Sequence, residues 1–122
     1  MLYWMHHAVR EYENPALDVA IHTASTLNIP LLVYQGLSGA HRFNSDRHFT
    51  FIMEGARDVA AQFERRGIRY AFHLNGDSSA VSPLYGLGRQ AALVITEDYP
   101  APPFPRWVNR LAEQITTPVW AV

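Results

Sequence analysis

Two polar segments, each following an apolar run, carry most of the groups in this sequence that are able to do chemistry. His6-His7-Ala8-Val9-Arg10-Glu11 follows Leu2-Tyr3-Trp4-Met5, and Thr96-Glu97-Asp98-Tyr99 follows Ala92-Leu93-Val94-Ile95. A guanidinium at Arg10 can pair with Glu97 or Asp98, or hold an anionic ligand. Glu97 and Asp98 are the two carboxylates that acid/base catalysis would need, but neighbours on one loop seldom face each other, so no catalytic residue is assigned. His6 and His7 are adjacent and on an extended backbone point in opposite directions, which argues against a shared metal ion. His41 and His48 flank a helix start and read as surface or capping residues, His22 and His73 have no ligand-like spacing to another His, and no metal site is expected.

What the sequence lacks excludes several classes of function. The turn after the first apolar run contains no glycine, so a mononucleotide cradled there by its phosphates is not expected. There is no Cys, which removes disulfides, thiolate zinc sites and thiol nucleophiles. All 10 basic residues are Arg, which removes a P-loop lysine, a lysine Schiff base and lysine-based pyridoxal chemistry. With 17% charged residues, a net charge of -1 and no basic stripe, direct nucleic-acid binding is not expected of this domain. The apolar runs are too short to span a membrane and no leader precedes the first strand, which predicts a soluble cytoplasmic protein with no membrane contact.

The segments that must position these groups alternate between strand and helix. Asn14 reads as an N-cap with Pro15 behind it, and Leu17, Ala20, Ile21, Ala24 and Leu27 recur at helical spacing until Asn28 and Pro30. Leu31 to Tyr34 is a short continuous apolar run of the kind buried in parallel sheets, ended by Gly36 and Gly39. Ser45 caps the longest helix, with Phe49, Ile52, Ala56, Val59, Ala60 and Phe63 on one side, a solvated charged face on the other, and Arg65-Arg66-Gly67 closing it. Ile68 to Leu74 is a third strand ending in the Asn75-Gly76-Asp77 turn, and a short helix starts near Pro83. Ala92 to Ile95 is the fourth strand. The prolines at 100, 102, 103 and 105 lead into a helix with Trp107, Val108, Leu111, Ala112 and Ile115, and Val119 to Val122 is a fifth strand.

Five strands separated by helix-length crossovers predict one α/β domain over residues 1–122, a Rossmann-like doubly wound parallel sheet of order 3-2-1-4-5 with helices on both faces. That order puts the switch point between strands one and four. His6, His7, Arg10, Glu97, Asp98 and Tyr99 then surround one crevice, with Tyr34, Gln35 and Gly36 beside it. Tyr3, Trp4, Trp107 and Trp120 are read as packing residues.

The string LYWMHHAVREYENPALDVAI resembles the opening of the DNA photolyase and cryptochrome family, and is most similar to pyrimidine-dimer photolyases of the second class, which begin with a Tyr-Trp-Met strand of this kind. The resemblance continues through PLLVYQGL, SDRHFTFIMEGARDVAAQFERRGIRYAFHLNGD and ALVITEDYP. It implies the N-terminal α/β domain of such a protein, whose role is to hold an antenna chromophore, a folate or a deazaflavin. FAD and the lesion pocket belong to a helical domain that follows in the family and is not in this sequence, so the chain is expected to be a fragment or a stand-alone relative. As it stands it is expected neither to repair DNA nor to bind FAD above background. Arg10 and Asn14 match the family's turn-to-helix pair, with Glu13 where Asp is common. Tyr34 and Gly36 fall where antenna contacts occur in some members, although Asp often stands at the Gly36 position. Glu97 and Asp98 match an acidic or amide pair after strand four, while Pro100, Pro102 and Pro103 depart from the usual polar sequence. These six residues, Arg10, Asn14, Tyr34, Gly36, Glu97 and Asp98, are the expected chromophore lining, and the helical FAD domain is the expected partner.

Two other readings use the same scaffold. A nucleotide binder, such as a universal-stress-like protein or a relative of adenylate-forming hydrolases, would need glycine and small hydroxyl residues where this chain has HHAVRE and TEDYP. A ligand-free interaction module would show an exposed apolar docking face, through which the chain would self-associate.

Overall fold

In a computed structural model that describes residues 1–38, 45–76 and 81–122, the chain forms nine elements. They are β1 (Leu2–Trp4), α1 (Pro15–Thr26), β2 (Leu32–Ser38), α2 (Asp46–Arg65), β3 (Arg69–Asn75), α3 (Pro83–Gln90), β4 (Val94–Thr96), α4 (Phe104–Gln114) and β5 (Val119–Ala121). The readings made for Gly39, His41 and Asp77 lie outside the described residues.

Helix ends follow the local chemistry of the sequence. The Asn14 side chain accepts from the Leu17 N–H, Ser45 from His48, and Ser82 from Leu84. At the C-terminus of α2, Gly67 takes φ +68°. The Ile68 N–H then reaches the Phe63 carbonyl and the Gly67 N–H the Glu64 carbonyl, a paired closure that needs the left-handed residue. Asn28, at φ 52°, closes α1 the same way through Ile29 to Ala24 and Asn28 to Ser25. This turns Leu27 out of the stripe predicted for it, and its side chain is exposed.

All strand pairs are parallel and the order is β3-β2-β1-β4-β5. The central strand β1 is buried on both faces, because its side chains alternate between two cores. Tyr3 and Met5 point to one core with Leu17, Ala20, Val59 and Phe63 from α1 and α2. Leu2 and Trp4 point to the other with Tyr34, Leu84, Leu111 and Ile115, beneath α3 and α4. The molecule is therefore a doubly wound α/β sandwich with helices on both faces.

One strand boundary and two aromatic assignments differ from expectation. β2 does not stop at Gly36 but pairs with β3 through Gly36–His73, Leu37–Leu74 and Ser38–Asn75, beyond its last partner on β1. Ladder bonds to β3 outweigh the weak strand preference of one glycine. The aromatic packing assignment holds for Tyr3 and Trp4, which are buried, but Trp107 and Trp120 are exposed. α4 turns Leu111 inward, and Trp120 lies on the edge strand β5. No described helix is long and apolar enough to cross a membrane.

Candidate functional site at the strand ends

β1 and β4 are hydrogen-bonded neighbours, with Trp4 opposite Thr96. The segments that follow them consequently lie side by side, and a single carboxylate ties them together. Glu97 Oε2 accepts from the backbone N–H groups of His6 (3.1 Å) and His7 (2.7 Å). Oε1 accepts from the Ala8 N–H (3.3 Å) and the Tyr3 hydroxyl (2.6 Å). Three successive N–H groups converging on one anion make a backbone nest of the sort that elsewhere binds phosphate. Here the chain supplies its own anion.

Asn14 completes the network from the other side. Its Nδ2 donates to the Tyr3 hydroxyl (3.0 Å) and to the carbonyls of Ala8 (3.0 Å) and Arg10 (3.1 Å), while its Oδ1 accepts from the Leu17 N–H (3.1 Å). The Tyr3 hydroxyl has one proton, which the shorter contact assigns to Glu97. Burial first, then the Glu97 charge, push the Tyr3 phenol well above its usual range, so it remains a donor. Asn14 and Glu97 thus hold the first strand, its turn and the β4 end together, with every polar atom engaged. Arg10 braces the same turn without reaching either acidic residue. Its Nε and Nη2 donate to the Glu13 carbonyl at 3.1 and 2.8 Å, which supports the positive φ of Glu13.

The other side of these strand ends is aromatic. The His6 side chain, 5% exposed, lies between Trp4 (centroids 4.8 Å apart) and Phe104 (5.1 Å, planes 15° apart). Its Nδ1 is 3.2 Å from Glu97 Oε2 but out of line for a hydrogen bond, and both ring nitrogens are buried with no hydrogen-bond partner. Burial lowers the His6 imidazole below its usual range, against the opposing pull of Glu97, so the ring is neutral at pH 7. His7 stacks on Tyr99 (3.7 Å), and Phe104 meets Tyr99 and Trp107 edge-on at 5.4 Å each.

Tyr34 stands beside Trp4 on β2, 2% exposed. The lack of a side chain at Gly36 makes room for it, since a Cβ there would lie 3.0 Å from the Tyr34 hydroxyl. Asp98 is exposed, and its backbone N–H ties the β4 end to the Val122 carbonyl. Of the six residues expected to line a chromophore, Tyr34 packs beside Trp4 and Gly36 leaves room for its ring. Asn14 and Glu97 form the buried network, whereas Arg10 and Asp98 are exposed. His6 and Phe104 were not among the six. The run of aromatics at 99, 104 and 107 after the fourth strand was the signal for Phe104, whereas the isolation of His6 becomes visible only once its neighbours are in place. Two open depressions lie elsewhere, about 640 Å³ along α4 beside Arg106 and Arg110 and about 280 Å³ along α2 beside Met53 and Arg57.

The fold is that of a Rossmann-like α/β domain, with these residues at its topological switch point. Within that class, the chain is similar over its whole length to deoxyribodipyrimidine photo-lyase of Methanothermobacter thermautotrophicus, at 33% identity over 122 residues. It spans 27% of that protein's length. No protein-family model matches. Among solved structures, a universal stress protein family member from Burkholderia pseudomallei superposes with TM-score 0.60 at 21% identity, covering 99% of this chain and 94% of that one. The universal stress protein of Archaeoglobus fulgidus superposes with TM-score 0.62 at 15% identity, covering 99% and 97%. A second structure of the Archaeoglobus protein, in complex with dAMP, gives TM-score 0.59 at 15% identity over 99% and 96%. These likenesses concern the fold.

Proposed function

We propose that this chain is the N-terminal, chromophore-holding domain of a photolyase-like flavoprotein of the second class. The observation that carries the reading is the 33% identity to a deoxyribodipyrimidine photo-lyase, sustained along all 122 residues. Its contribution to light-driven repair is indirect. A planar antenna, a folate or a deazaflavin, sits at the aromatic strand ends beside Tyr34, Gly36, His6 and Phe104, and passes excitation to FAD in a helical partner domain. Energy transfer depends on orientation, and the Tyr3–Asn14–Glu97 network supplies a rigid base for it. The repair activity and the FAD site belong to the partner domain, and the aromatic margin at Tyr99 and Trp107 is the face on which that domain docks.

The experiment is a fluorescence or calorimetric titration of the purified chain with a reduced folate and with a deazaflavin. Saturable binding of one of them, quenched when the helical domain and FAD are added, is the expected result. No affinity for either at millimolar ligand overturns the reading.

A nucleotide-binding role is the second reading, favoured by the fold likeness to a universal stress protein whose structure contains dAMP. The filled nest speaks against it. The backbone donors of His6, His7 and Ala8 that a phosphate would use are already taken by Glu97. Calorimetry with ATP separates the two, since the antenna reading expects no heat of binding.

A further inference from the structure

An edge strand presents a row of unpaired backbone groups, and β5 is one edge of this sheet. The Val122 N–H donates to the Thr96 carbonyl, the Val122 carbonyl accepts from Asp98, and the Pro118 carbonyl accepts from Val94. Bonding to one neighbour alternates along a strand, so Pro118, Trp120 and Val122 turn their peptide groups towards β4 while Val119 and Ala121 turn theirs outward. Among the described residues none pairs with those outward N–H and C=O groups. The devices that protect an edge are missing from it as well. Residues 115–122, ITTPVWAV, carry no charged side chain, and the one proline belongs to the set that faces β4. Side chains alternate too. Val119 packs with the cluster beneath α3 and α4, so Trp120 projects to the opposite face, in register with Ile95. Ile95 is buried there in the core that α1 closes, but Trp120 remains 53% exposed and Val122 41%.

We propose that β5 is an interface for a second copy of this chain, pairing antiparallel with the partner's β5 about a two-fold axis at Trp120. The outward groups are self-complementary under that operation. Val119 of one copy faces Ala121 of the other and the reverse, and each of these pairs exchanges both of its N–H···O bonds. Trp120 and its symmetry mate form the intervening non-hydrogen-bonded pair, where Cα atoms are about 4.5 Å apart and side chains approach most closely. Both indoles lie on the face away from α4, and each covers the other. A second copy fits this edge better than a free extended peptide, because its strand is already ordered and brings a matching Trp120, whereas a peptide loses its backbone freedom on binding. The indoles and the Val122 side chains beside them bury on the order of a few hundred Å², against about 1,200 Å² for a stable interface. The dimer is therefore weak and forms as concentration rises. It does not depend on the antenna reading.

The chain has no cysteine, so a single introduced thiol reports the register. Trp120→Cys puts two thiols at the two-fold axis, inside the Cα separation of about 4.4–6.8 Å that a disulfide needs. Val122→Cys is the control on the same face, since its two copies lie roughly 14 Å apart in this register and cannot bridge. Under mild oxidation Trp120→Cys should form the disulfide dimer at least about tenfold faster than Val122→Cys. Equal rates, or faster bridging of Val122→Cys, overturn the proposal. In sedimentation equilibrium the native chain should move from 13.8 kDa at micromolar concentration towards twice that mass near millimolar. Ala121→Pro removes an N–H that the monomer does not use and sets a ring on the free edge, so it should keep its fold by circular dichroism and stay at the monomer mass throughout. If Ala121→Pro does not fold, Trp120→Arg makes the same comparison by placing like charges directly opposite each other. A native chain that remains at 13.8 kDa up to millimolar, or folded variants that dimerise as well as it does, overturn the proposal.

Discussion

The Tyr3 hydroxyl donates to Glu97 Oε1 at 2.6 Å, joining side chains 94 positions apart in the sequence in the interior of the molecule. Because Glu97 also gathers the N–H groups of His6, His7 and Ala8, this one bond ties the central strand to the segments after β1 and β4. Tyr3→Phe keeps the ring packed against Leu17 and Phe63 and removes only the donor. The carboxylate and the Asn14 amide each lose a partner, and a hydrogen bond to a charged group contributes about 1.5–3 kcal/mol. Urea denaturation should show a loss of that size at unchanged m-value.

Glu97→Gln tests the nest itself. An amide has one acceptor oxygen and would aim its NH2 at a backbone N–H or at the Tyr3 hydroxyl. We expect destabilisation by about 2–4 kcal/mol from breaking a buried, charge-assisted set. Adding phosphate or acetate to Glu97→Ala should recover part of the melting temperature, because the vacated nest binds an anion.

Asn14 separates capping from network. Asp is as good an N-cap as Asn, so on capping alone Asn14→Asp would be near neutral. In this structure Nδ2 donates to the Tyr3 hydroxyl and to the Ala8 and Arg10 carbonyls, and Asp would put a second carboxylate close to Glu97. Asn14→Asp should therefore cost at least as much as Asn14→Ala, about 2 kcal/mol or more by chemical denaturation. A near-neutral Asn14→Asp would mean that the network contributes little.

The pH dependence of stability follows from His6. Burial holds its folded-state pKa below the unfolded value of 6.5, so between those values the unfolded chain binds the extra proton. Stability is complete above pH 6.5 and falls as the pH drops from there towards the folded pKa. Glu97, at 3.2 Å, is the charge that limits the fall, and His7 adds to it. Denaturation midpoints measured across this window should decline in the native chain and flatten in His6→Leu.

Gly36 and Tyr34 should be coupled. A Cβ at 36 would lie 3.0 Å from the Tyr34 hydroxyl and 3.3 Å from its Cε1, so Gly36→Ala forces the ring to shift, at a cost of about 1–2 kcal/mol. Tyr34→Phe removes the nearest atom and should relieve part of that cost. A double-mutant cycle in urea should show a favourable coupling of at least about 0.5 kcal/mol.

Much of the architecture was legible from local chemistry. Asn14-Pro15, Ser45 and Ser82 start helices because their side chains satisfy N–H groups within a few residues, and Gly67 ends one because only its backbone relaxes into the left-handed turn. Alternation of short apolar runs with helix-length spacers was enough for a parallel α/β sheet, since each crossover is long enough for a helix and too long for a hairpin. Leu27 and the end of β2 at Gly36 depart from the sequence reading for different reasons, one local and one from a partner outside its own segment. Leu27 is displaced by the Asn28 closure, and Gly36 is held in the ladder by His73.

The candidate site divides the same way. Residue types and strand order were sufficient to gather Glu97, Asn14, Tyr34 and Gly36 at one end of the sheet. They carried no information on which groups would satisfy each other, because hydrogen-bond pairing depends on side-chain direction at ångström scale. Only the folded chain turns Glu97 inward onto three backbone N–H groups, leaves Arg10 on Glu13, and closes Phe104 over an imidazole with no partner. Strand formation and helix capping are decided by neighbours in sequence. The saturation of a buried polar atom is decided by whatever the rest of the chain brings within about 3 Å of it.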